Sequence, residues 1–166
     1  GTDVDVVLDL MIHDVDILLS LMKAKIKNIN AYGLSVLSKT IDMANTRIDF
    51  DNGCVANLTA SRISQKKIRK FRIFENQSYI TIDFLNPNVE KYIVTNNKPN
   101  KNLSYVVMNK NEEKYILYDK PKIYLYNALK RELSDFMQSI RDATKPMVDG
   151  NSGLKALEVA TQIRQQ

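Results

Sequence analysis

The sequence predicts an α+β domain with one large, open, predominantly antiparallel β-sheet and helices packed on one face of that sheet. Three observations support this class: Val6–Met22 is apolar and lacks Gly and Pro, residues 26–118 alternate between apolar and polar, and two helical patterns follow. Helices that precede and follow a series of strands favour an antiparallel sheet over a parallel one. The chain has 166 residues, of which 44% are hydrophobic and 26% charged, a balance typical of a globular protein. Because this length suits one domain, residues 1–166 are expected to fold as a single domain.

The first element, Val6 to Met22, is predicted to be a helix of about 18 residues. At about 100° per residue, the side chains of Asp5, Asp9, His13 and Asp16 fall within an arc of about 80°. The other faces of this helix are almost wholly apolar. The pattern therefore predicts a buried helix with one narrow polar stripe.

A series of strands is predicted next, with a tight hairpin near its beginning. Asp51-Asn52-Gly53 separates the segments Arg47 to Phe50 and Cys54 to Arg62, and Asn-Gly readily supplies the positive φ angles of a short turn. In the second arm, Cys54, Ala56, Leu58 and Ala60 share one face, which is therefore expected to pack on apolar residues. The further strands are expected at Ile26 to Ser38, Ile68 to Glu75, Tyr79 to Phe84, Lys91 to Thr95, Tyr105 to Asn109 and Lys114 to Tyr118.

Two helices are predicted after the strands. The first has four apolar residues at helical spacing, which are Leu129, Leu133, Phe136 and Ile140. It is expected to end near Pro146, because proline cannot continue a helix. The last helix is predicted to begin at a cap at Asn151 or Ser152 and to run to about Ile163.

Three interpretations of the polar stripe are compatible with the residues alone. The first is a structural polar seam where the helix meets solvent or a subunit interface, since a single histidine is usually structural. A metal site would need further His, Cys or carboxylate ligands, and the chain has one His and one Cys, so no metal is expected. The third interpretation is an acid/base pair, because Asp9 and His13 are four residues apart and a carboxylate beside an imidazole can orient the ring.

The net charge of +5 raises the question of a polyanionic partner. Five basic residues lie within Lys66–Arg72, but they alternate with apolar residues in KKIRKFRIF. This alternation is typical of a strand with a charged solvent side. We therefore expect neither nucleic acid nor a membrane as a partner; the alternative of polyanion binding would show a steep salt dependence.

Two observations bear on the compartment. The single cysteine, Cys54, cannot form an internal disulfide. The apolar run Val6–Met22 is interrupted by charged residues, and no secretory pattern precedes it. We expect a cytoplasmic protein.

Four stretches carry a resemblance to a known family. VVLDLMIHDVDILLSL contains Asp and His four apart and then a further Asp, and IDFDNGCVANLTASRIS contains two strands around an Asn-Gly turn and ends in Ser-Arg-Ile-Ser. KKIRKFRIF forms the next strand, and KPMVDGNSGLKALEVATQI is rich in Gly and Leu. In this order they resemble the C-terminal domain of the glucose-fructose oxidoreductase and inositol dehydrogenase (Gfo/Idh/MocA) family of NAD(P)-dependent oxidoreductases. The resemblance implies the dihydrodipicolinate-reductase-like fold of that domain.

The resemblance also implies roles for individual residues. Asp9 and His13 would lie beside the substrate hydroxyl that is oxidised, with His13 taking or relaying its proton and Asp9 orienting His13 or binding the sugar. The substrate would be a sugar, a polyol or a nucleotide-sugar. Because the basic composition favours an anionic substrate, Arg62 and Lys66 are candidate ligands for a diphosphate, with an ordinary exposed charge as the alternative.

The cofactor implied by the resemblance is NAD or NADP, bound mainly by an N-terminal nucleotide-binding domain. The five glycines of this chain form no GxGxxG, so no Rossmann domain is expected within it. We expect a C-terminal portion of a longer protein, inactive by itself, that forms a homo-oligomer through the exposed sheet face. The rival hypothesis is a non-catalytic binding or scaffolding domain of the same fold.

Overall fold

The computed structural model describes residues 4–99, 105–109 and 114–166, and for 105–109 it describes the backbone. The chain divides into two compact units. The first is formed by the described residues of Gly1–Gln65 together with Glu132–Gln166, and the second by those of Lys66–Arg131.

The first unit combines two helical segments near its start, a three-stranded sheet and a helix at its end. The elements are a π-helical turn Val7–Met11, α1 (Ile12–Leu21), β1 (Ile26–Leu34), β2 (Met43–Phe50), β3 (Val55–Ser61) and α3 (Gly150–Arg164). The strands are antiparallel in the order β1-β2-β3. A further helix, α2 (Ala128–Arg141), joins the second unit to the first along the chain.

The predicted hairpin between β2 and β3 is confirmed. Asp49 pairs with Val55 across the turn, and Gly53 has a φ of 84°, the left-handed conformation that glycine adopts without a steric penalty. The face predicted to be apolar is buried, with Leu58 and Ala60 in the core. Buried residues of α1 and α3 complete that core, so both helices pack on one face of the sheet.

The second unit is a five-stranded antiparallel sheet. Its strands are β4 (Lys70–Phe74), β5 (Ser78–Asp83), β6 (Asn88–Thr95), β7 (Tyr105–Asn109) and β8 (Lys114–Asp119), in the order β4-β5-β6-β8-β7. Four rings on one face, which we call the aromatic ladder, pair directly across four strands: Phe74, Tyr79, Tyr92 and Tyr118. Consecutive ring centroids are 4.8, 5.7 and 5.2 Å apart, within the range of favourable aromatic contacts.

The basic segment forms the predicted strand at an edge of this sheet. In β4, Lys70 and Arg72 are exposed, whereas Phe71 and Ile73 on the opposite face are half-buried. Lys70 lies 3.6 Å from the Asp83 carboxylate on the neighbouring strand. Charged side chains on an edge strand discourage pairing with further strands.

Both C-terminal helices are confirmed, but α2 ends at Arg141, before the end predicted near Pro146, and the start of α3 differs from the prediction. Asp149, and not Asn151 or Ser152, caps α3, since its carboxylate accepts hydrogen bonds from the N–H and the hydroxyl of Ser152 at 2.9 and 3.0 Å. An aspartate two residues earlier can cap as well as asparagine or serine, so the sequence left a choice that the geometry decides. In α2 the four apolar residues predicted to share a face all lie exposed.

The α+β class with antiparallel strands is confirmed. The strands form two hydrogen-bonded sheets, of three and five strands, where the sequence predicted one large sheet. Alternation along a strand determines which residues share a face, but it does not determine which strands become neighbours, so this division could not be predicted. Within the described residues, no helix is long and apolar enough to cross a membrane.

The loop between β1 and β2 is organised by the buried carboxylate of Asp42. Its Oδ2 accepts hydrogen bonds from the backbone N–H groups of Val36, Leu37 and Ser38 at 2.9, 2.7 and 2.8 Å, and Oδ1 accepts one from Ser38 Oγ at 2.9 Å. The Ser38 N–H, together with those of Val36 and Leu37, holds the pKa of Asp42 well below its usual range. The backbone of Asp42 also accepts a hydrogen bond from the Arg62 N–H, so this loop supports the end of β3.

The substitution Asp42→Asn keeps the size of this side chain and removes its charge. A carboxylate whose pKa falls on folding stabilises the fold above its unfolded pKa of about 4, and this contribution is lost as the pH falls towards the folded value. We expect the variant to be less stable than the parent at neutral pH, and the difference to shrink below about pH 4. Denaturant unfolding at a series of pH values measures both effects.

The matched control is Asp119→Asn, which removes a carboxyl charge from an exposed position at the end of β8. Its stability at neutral pH is expected to stay close to that of the parent, as for most surface substitutions. A stability difference for Asp42→Asn that is the same in acid as at neutral pH would contradict the assigned role.

Candidate functional site

The predicted helix around Asp9 and His13 is confirmed, but it is not α-helical throughout. Asp9 lies within the π-helical turn Val7–Met11, and His13 lies in the first turn of α1. A π-helical turn has more residues than an α-helical turn, so the spacing of about 100° per residue does not hold through this segment. Val6, Val7 and Met11 are fully buried there, whereas Asp9 is exposed. Single π-helical turns occur frequently at functional sites.

The sequence predicted that Asp5 shares a polar stripe with Asp9 and His13, but the structure buries Asp5 apart from them. It is 3% exposed, and its Oδ1 accepts hydrogen bonds from the N–H groups of Val7 and Leu8 at 3.0 and 3.1 Å. Its Oδ2 lies 2.8 Å from Nε of Arg164 in the last turn of α3. An aspartate just before an apolar run is a helix-start signal, and this signal could have separated Asp5 from Asp9.

Asp9 is held by Arg62, which follows β3. Nη2 of Arg62 lies 2.8 Å from Oδ2 of Asp9 and also donates to the backbone carbonyl of Val4. The Arg62 side chain is only 13% exposed, whereas the Asp9 side chain is 48% exposed. The guanidinium is therefore enclosed by protein, and the carboxylate faces outwards.

One further atom on each side of the Arg62–Asp9 ion pair lacks a hydrogen bond among the described residues. Nη1 of Arg62 is buried and has no hydrogen-bond partner among the described residues. Within the same part of the chain, Oδ1 of Asp9 accepts no hydrogen bond, so it is the oxygen left to a ligand. A charge-paired carboxylate with one open oxygen can accept a hydrogen bond from a hydroxyl group or from an imidazole N–H.

His13 is exposed on α1, four residues after Asp9. Across the residues that the structure describes, no hydrogen bond joins the two side chains, and the partner of Asp9 is Arg62. The structure thus brings two of the four predicted site residues, Asp9 and Arg62, into contact. His13 lies four residues after Asp9 with its side chain exposed, and Lys66 is exposed at the start of the second unit.

The structure shows Arg62 in contact with Asp9, and the binding of a diphosphate by Arg62 stays a prediction. Asp9 and Arg62 are 53 residues apart, so no local spacing could have connected them. Their contact depends on the end of β3 lying beside the first helical turn. The one hint in the sequence is the alternation along this arm of the hairpin, which places Arg62 on the same face as the buried Leu58 and Ala60.

Two open grooves in the first unit are lined by residues other than these. One, of about 620 Å³, runs between β1 and α3, and another, of about 310 Å³, lies on the sheet around Tyr32 and Arg47. Asp9, His13 and Arg62 line neither groove. A small molecule bound at Asp9 would therefore need further walls.

Two features of the described residues bear on metal and phosphate binding. Across residues 4–99 and 114–166, no three His, Cys, Asp or Glu side chains gather in a way that could hold a metal ion. The first turn of α3, which contains Gly150 and Gly153, is already capped by the Asp149 carboxylate. A carboxylate there repels the phosphate groups that a helix N-terminus would otherwise attract.

Comparison with known proteins gives a family match and a relative along nearly the whole chain. Residues 3–80 match the model of the GFO/IDH/MocA C-terminal domain. A UDP-N-acetylglucosamine 3-dehydrogenase from Acidithiobacillus ferrooxidans is 32% identical over 164 residues, which make up 98% of this chain and 48% of that protein. The chain thus spans about half the length of the curated relative that it matches.

Solved structures show the same fold. A structure of the A. ferrooxidans enzyme has a TM-score of 0.82 and 31% identity, over 98% of this chain and 47% of that chain. An NAD-binding protein from Listeria innocua has a TM-score of 0.74 and 19% identity, over 97% of this chain and 49% of that chain. The fold expected from the sequence resemblance is confirmed by these similarities.

Proposed function

The chain belongs to the GFO/IDH/MocA family, and we propose that it is the substrate-binding and oligomerisation domain of an NAD(P)-dependent oxidoreductase. Its reaction would be the oxidation of a hydroxyl group of a sugar, a polyol or a nucleotide-sugar. The observation that carries this proposal is the exposed Asp9 carboxylate, fixed by a buried Arg62 and followed one turn later by an exposed His13. Val7, Met11, Val15 and Leu18 bury one side of this helix, and Asp9 and His13 lie on its accessible part.

Oxidation of an alcohol requires that the hydroxyl group lose its proton. We propose that His13 takes or relays this proton, since an imidazole can accept and release protons near neutral pH. Asp9 would accept a hydrogen bond through its open Oδ1, either from a substrate hydroxyl or from the His13 ring. In the second case Asp9 would orient the imidazole.

The hydride would pass to a nicotinamide cofactor, NAD or NADP, which we propose is bound mainly by a nucleotide-binding domain outside these 166 residues. Among the described residues, the helix start that contains glycines is that of α3, and Asp149 caps it, which supports this division between the two domains. The open surroundings of Asp9 and the exposed apolar face of α2 also support it, because such faces are usually covered in a larger protein. Residues 1–166 alone are expected to be inactive.

The catalytic roles are tested by Asp9→Asn and His13→Gln in the full-length protein. General acid/base groups contribute roughly 10²- to 10⁴-fold to turnover, so each variant is expected to lose activity by about that factor. Cofactor binding should stay unchanged, because neither residue is proposed to contact the nucleotide. Steady-state cofactor reduction and calorimetric titration with the cofactor measure the two properties.

Asp16→Asn on the same helix is the matched control, since Asp16 lies further along α1 and is half-buried. It is expected to keep most of the parental turnover. If Asp9→Asn and His13→Gln also keep it, the catalytic assignment fails. Binding of a sugar ligand without any turnover by the parent protein would instead favour a non-catalytic binding or scaffolding domain.

A nucleotide-sugar is the substrate class that we favour. The A. ferrooxidans relative, at 32% identity, is named for a UDP-sugar, and the net charge of +5 suits an anionic substrate. We expect kcat/KM for UDP-N-acetylglucosamine or another UDP-hexose to exceed that for the free sugar by at least about tenfold. A screen of cofactor reduction with matched pairs of free and UDP-linked sugars measures this, and equal values within each pair would contradict it.

We further propose that the protein forms a homo-oligomer through the sheet face that carries the aromatic ladder. Phe74 at the end of the ladder is 75% exposed, and tyrosine is enriched at protein interfaces. Two copies of such a face can bury their rings against each other.

The substitution Tyr92→Glu places a charge at the centre of the ladder and is expected to reduce the molecular mass measured by light scattering to that of smaller species. Lys91→Glu is the matched control, because Lys91 is the adjacent residue on the opposite face of β6. It should leave the mass unchanged. A monomeric parent protein, or an unchanged mass for a folded Tyr92→Glu variant, would contradict an interface on this face.

The compartment proposed for the protein is the cytoplasm. Cys54 is a free, half-buried thiol, which suits a reducing environment. No nucleic acid and no membrane are proposed as partners.

A further inference from the structure

We propose that Arg62 is a positioning residue, which acts on the substrate through Asp9 and does not contact the substrate itself. Its guanidinium is enclosed by protein, and Nη2 is shared between Asp9 Oδ2, at 2.8 Å, and the carbonyl of Val4. An arginine that bound a diphosphate would need to present its donors outwards. In the Arg62–Asp9 pair, the exposed side chain is that of Asp9, and the Arg62 guanidinium lies behind it.

The two contacts of Arg62 Nη2 hold the backbone just before the π-helical turn and a side chain within that turn. Val4 lies before the π-helical turn and Asp9 lies within it, so one guanidinium connects both to the end of β3. The backbone reinforces the connection, since the N–H of Val6 donates to Ile41 O at 2.8 Å and that of Arg62 donates to Asp42 O at 2.9 Å. The Asp9 carboxylate is thereby held in one direction.

Fixing one oxygen leaves the other available. Oδ2 of Asp9 is engaged by Arg62, and Oδ1 accepts no hydrogen bond in the part of the chain that the structure describes. A carboxylate oxygen accepts hydrogen bonds, and it does so best when the other oxygen is fixed by a partner. A substrate hydroxyl or an imidazole N–H would therefore meet a single oriented acceptor.

The buried Nη1 of Arg62 supports a functional role for this arrangement. Within the described residues it has no hydrogen-bond partner, and an unpaired buried donor lowers stability. Unpaired buried donors are uncommon in native proteins, and a functional constraint on the side chain is one explanation for such a group.

Because this role rests on the function proposed above, the experiment uses the full-length protein and a double-mutant cycle. Arg62→Met is expected to lower kcat by roughly 10- to 100-fold, since small misplacements of a catalytic group have effects of this size. In the Asp9→Asn background, Arg62→Met should cause no further loss beyond about twofold. Arg62→Lys, which keeps the charge, should recover part of the activity lost in Arg62→Met.

Arg47→Met is the matched control. Arg47 also pairs with an aspartate, Asp49, at 3.0 Å, but on the exposed side of β2. It is expected to leave kcat unchanged. Losses that add in the double variant, together with a raised KM for UDP-linked but not for free sugars, would show that Arg62 contacts the substrate directly and would overturn the proposal.

Hydrogen exchange gives a readout that is independent of activity. Arg62→Met should accelerate amide exchange in Val7–Met11, and Arg47→Met should not. If Asp9→Asn keeps full turnover, the proposed function fails, while accelerated exchange in Arg62→Met would still support the positioning of this segment by Arg62. Unchanged exchange in a folded Arg62→Met variant would overturn the positioning role itself.

Discussion

The burial of the Asp5 carboxylate is the constraint on which the candidate site depends. A buried carboxylate is costly unless its oxygens are paired, and here one oxygen accepts two N–H groups from the first helical turn while the other meets Arg164. These contacts join the beginning of the first helix to the end of the last helix. The two helices can then pack on the sheet together, and the turn that contains Asp9 starts from a defined position.

Two acidic residues four positions apart thus have different environments. Asp5 faces the core and is fully engaged, so it serves the fold, whereas Asp9 faces outwards and keeps one oxygen open. Asp5 precedes the π-helical turn, and its carboxylate folds back to accept the N–H groups of Val7 and Leu8, whereas Asp9 lies within the turn. Local backbone geometry, rather than residue type, distinguishes the structural aspartate from the candidate catalytic one.

The sequence predicted those features that short-range rules determine. The Asp51-Asn52-Gly53 turn, the buried face with Leu58 and Ala60, and the strand within Lys66–Phe74 follow from turn chemistry and from alternation along a strand. The contact of Arg62 with Asp9, the pairing of Arg164 with Asp5 and the division into two sheets depend on residues far apart in the chain. No spacing rule connects such residues, and a single sequence contains no other record of their proximity.

The distribution of tyrosines has a consequence for spectroscopy. The chain has no tryptophan and eight tyrosines, and Tyr32 is the single tyrosine within the sequence ranges of the first unit. The tyrosines of the second unit, among them the aromatic-ladder residues Tyr79, Tyr92 and Tyr118, will therefore dominate tyrosine fluorescence and near-ultraviolet circular dichroism. These two signals report mainly on the five-stranded sheet. The unit that holds Asp9 and His13 could lose its packing with little change in tyrosine fluorescence or near-ultraviolet circular dichroism.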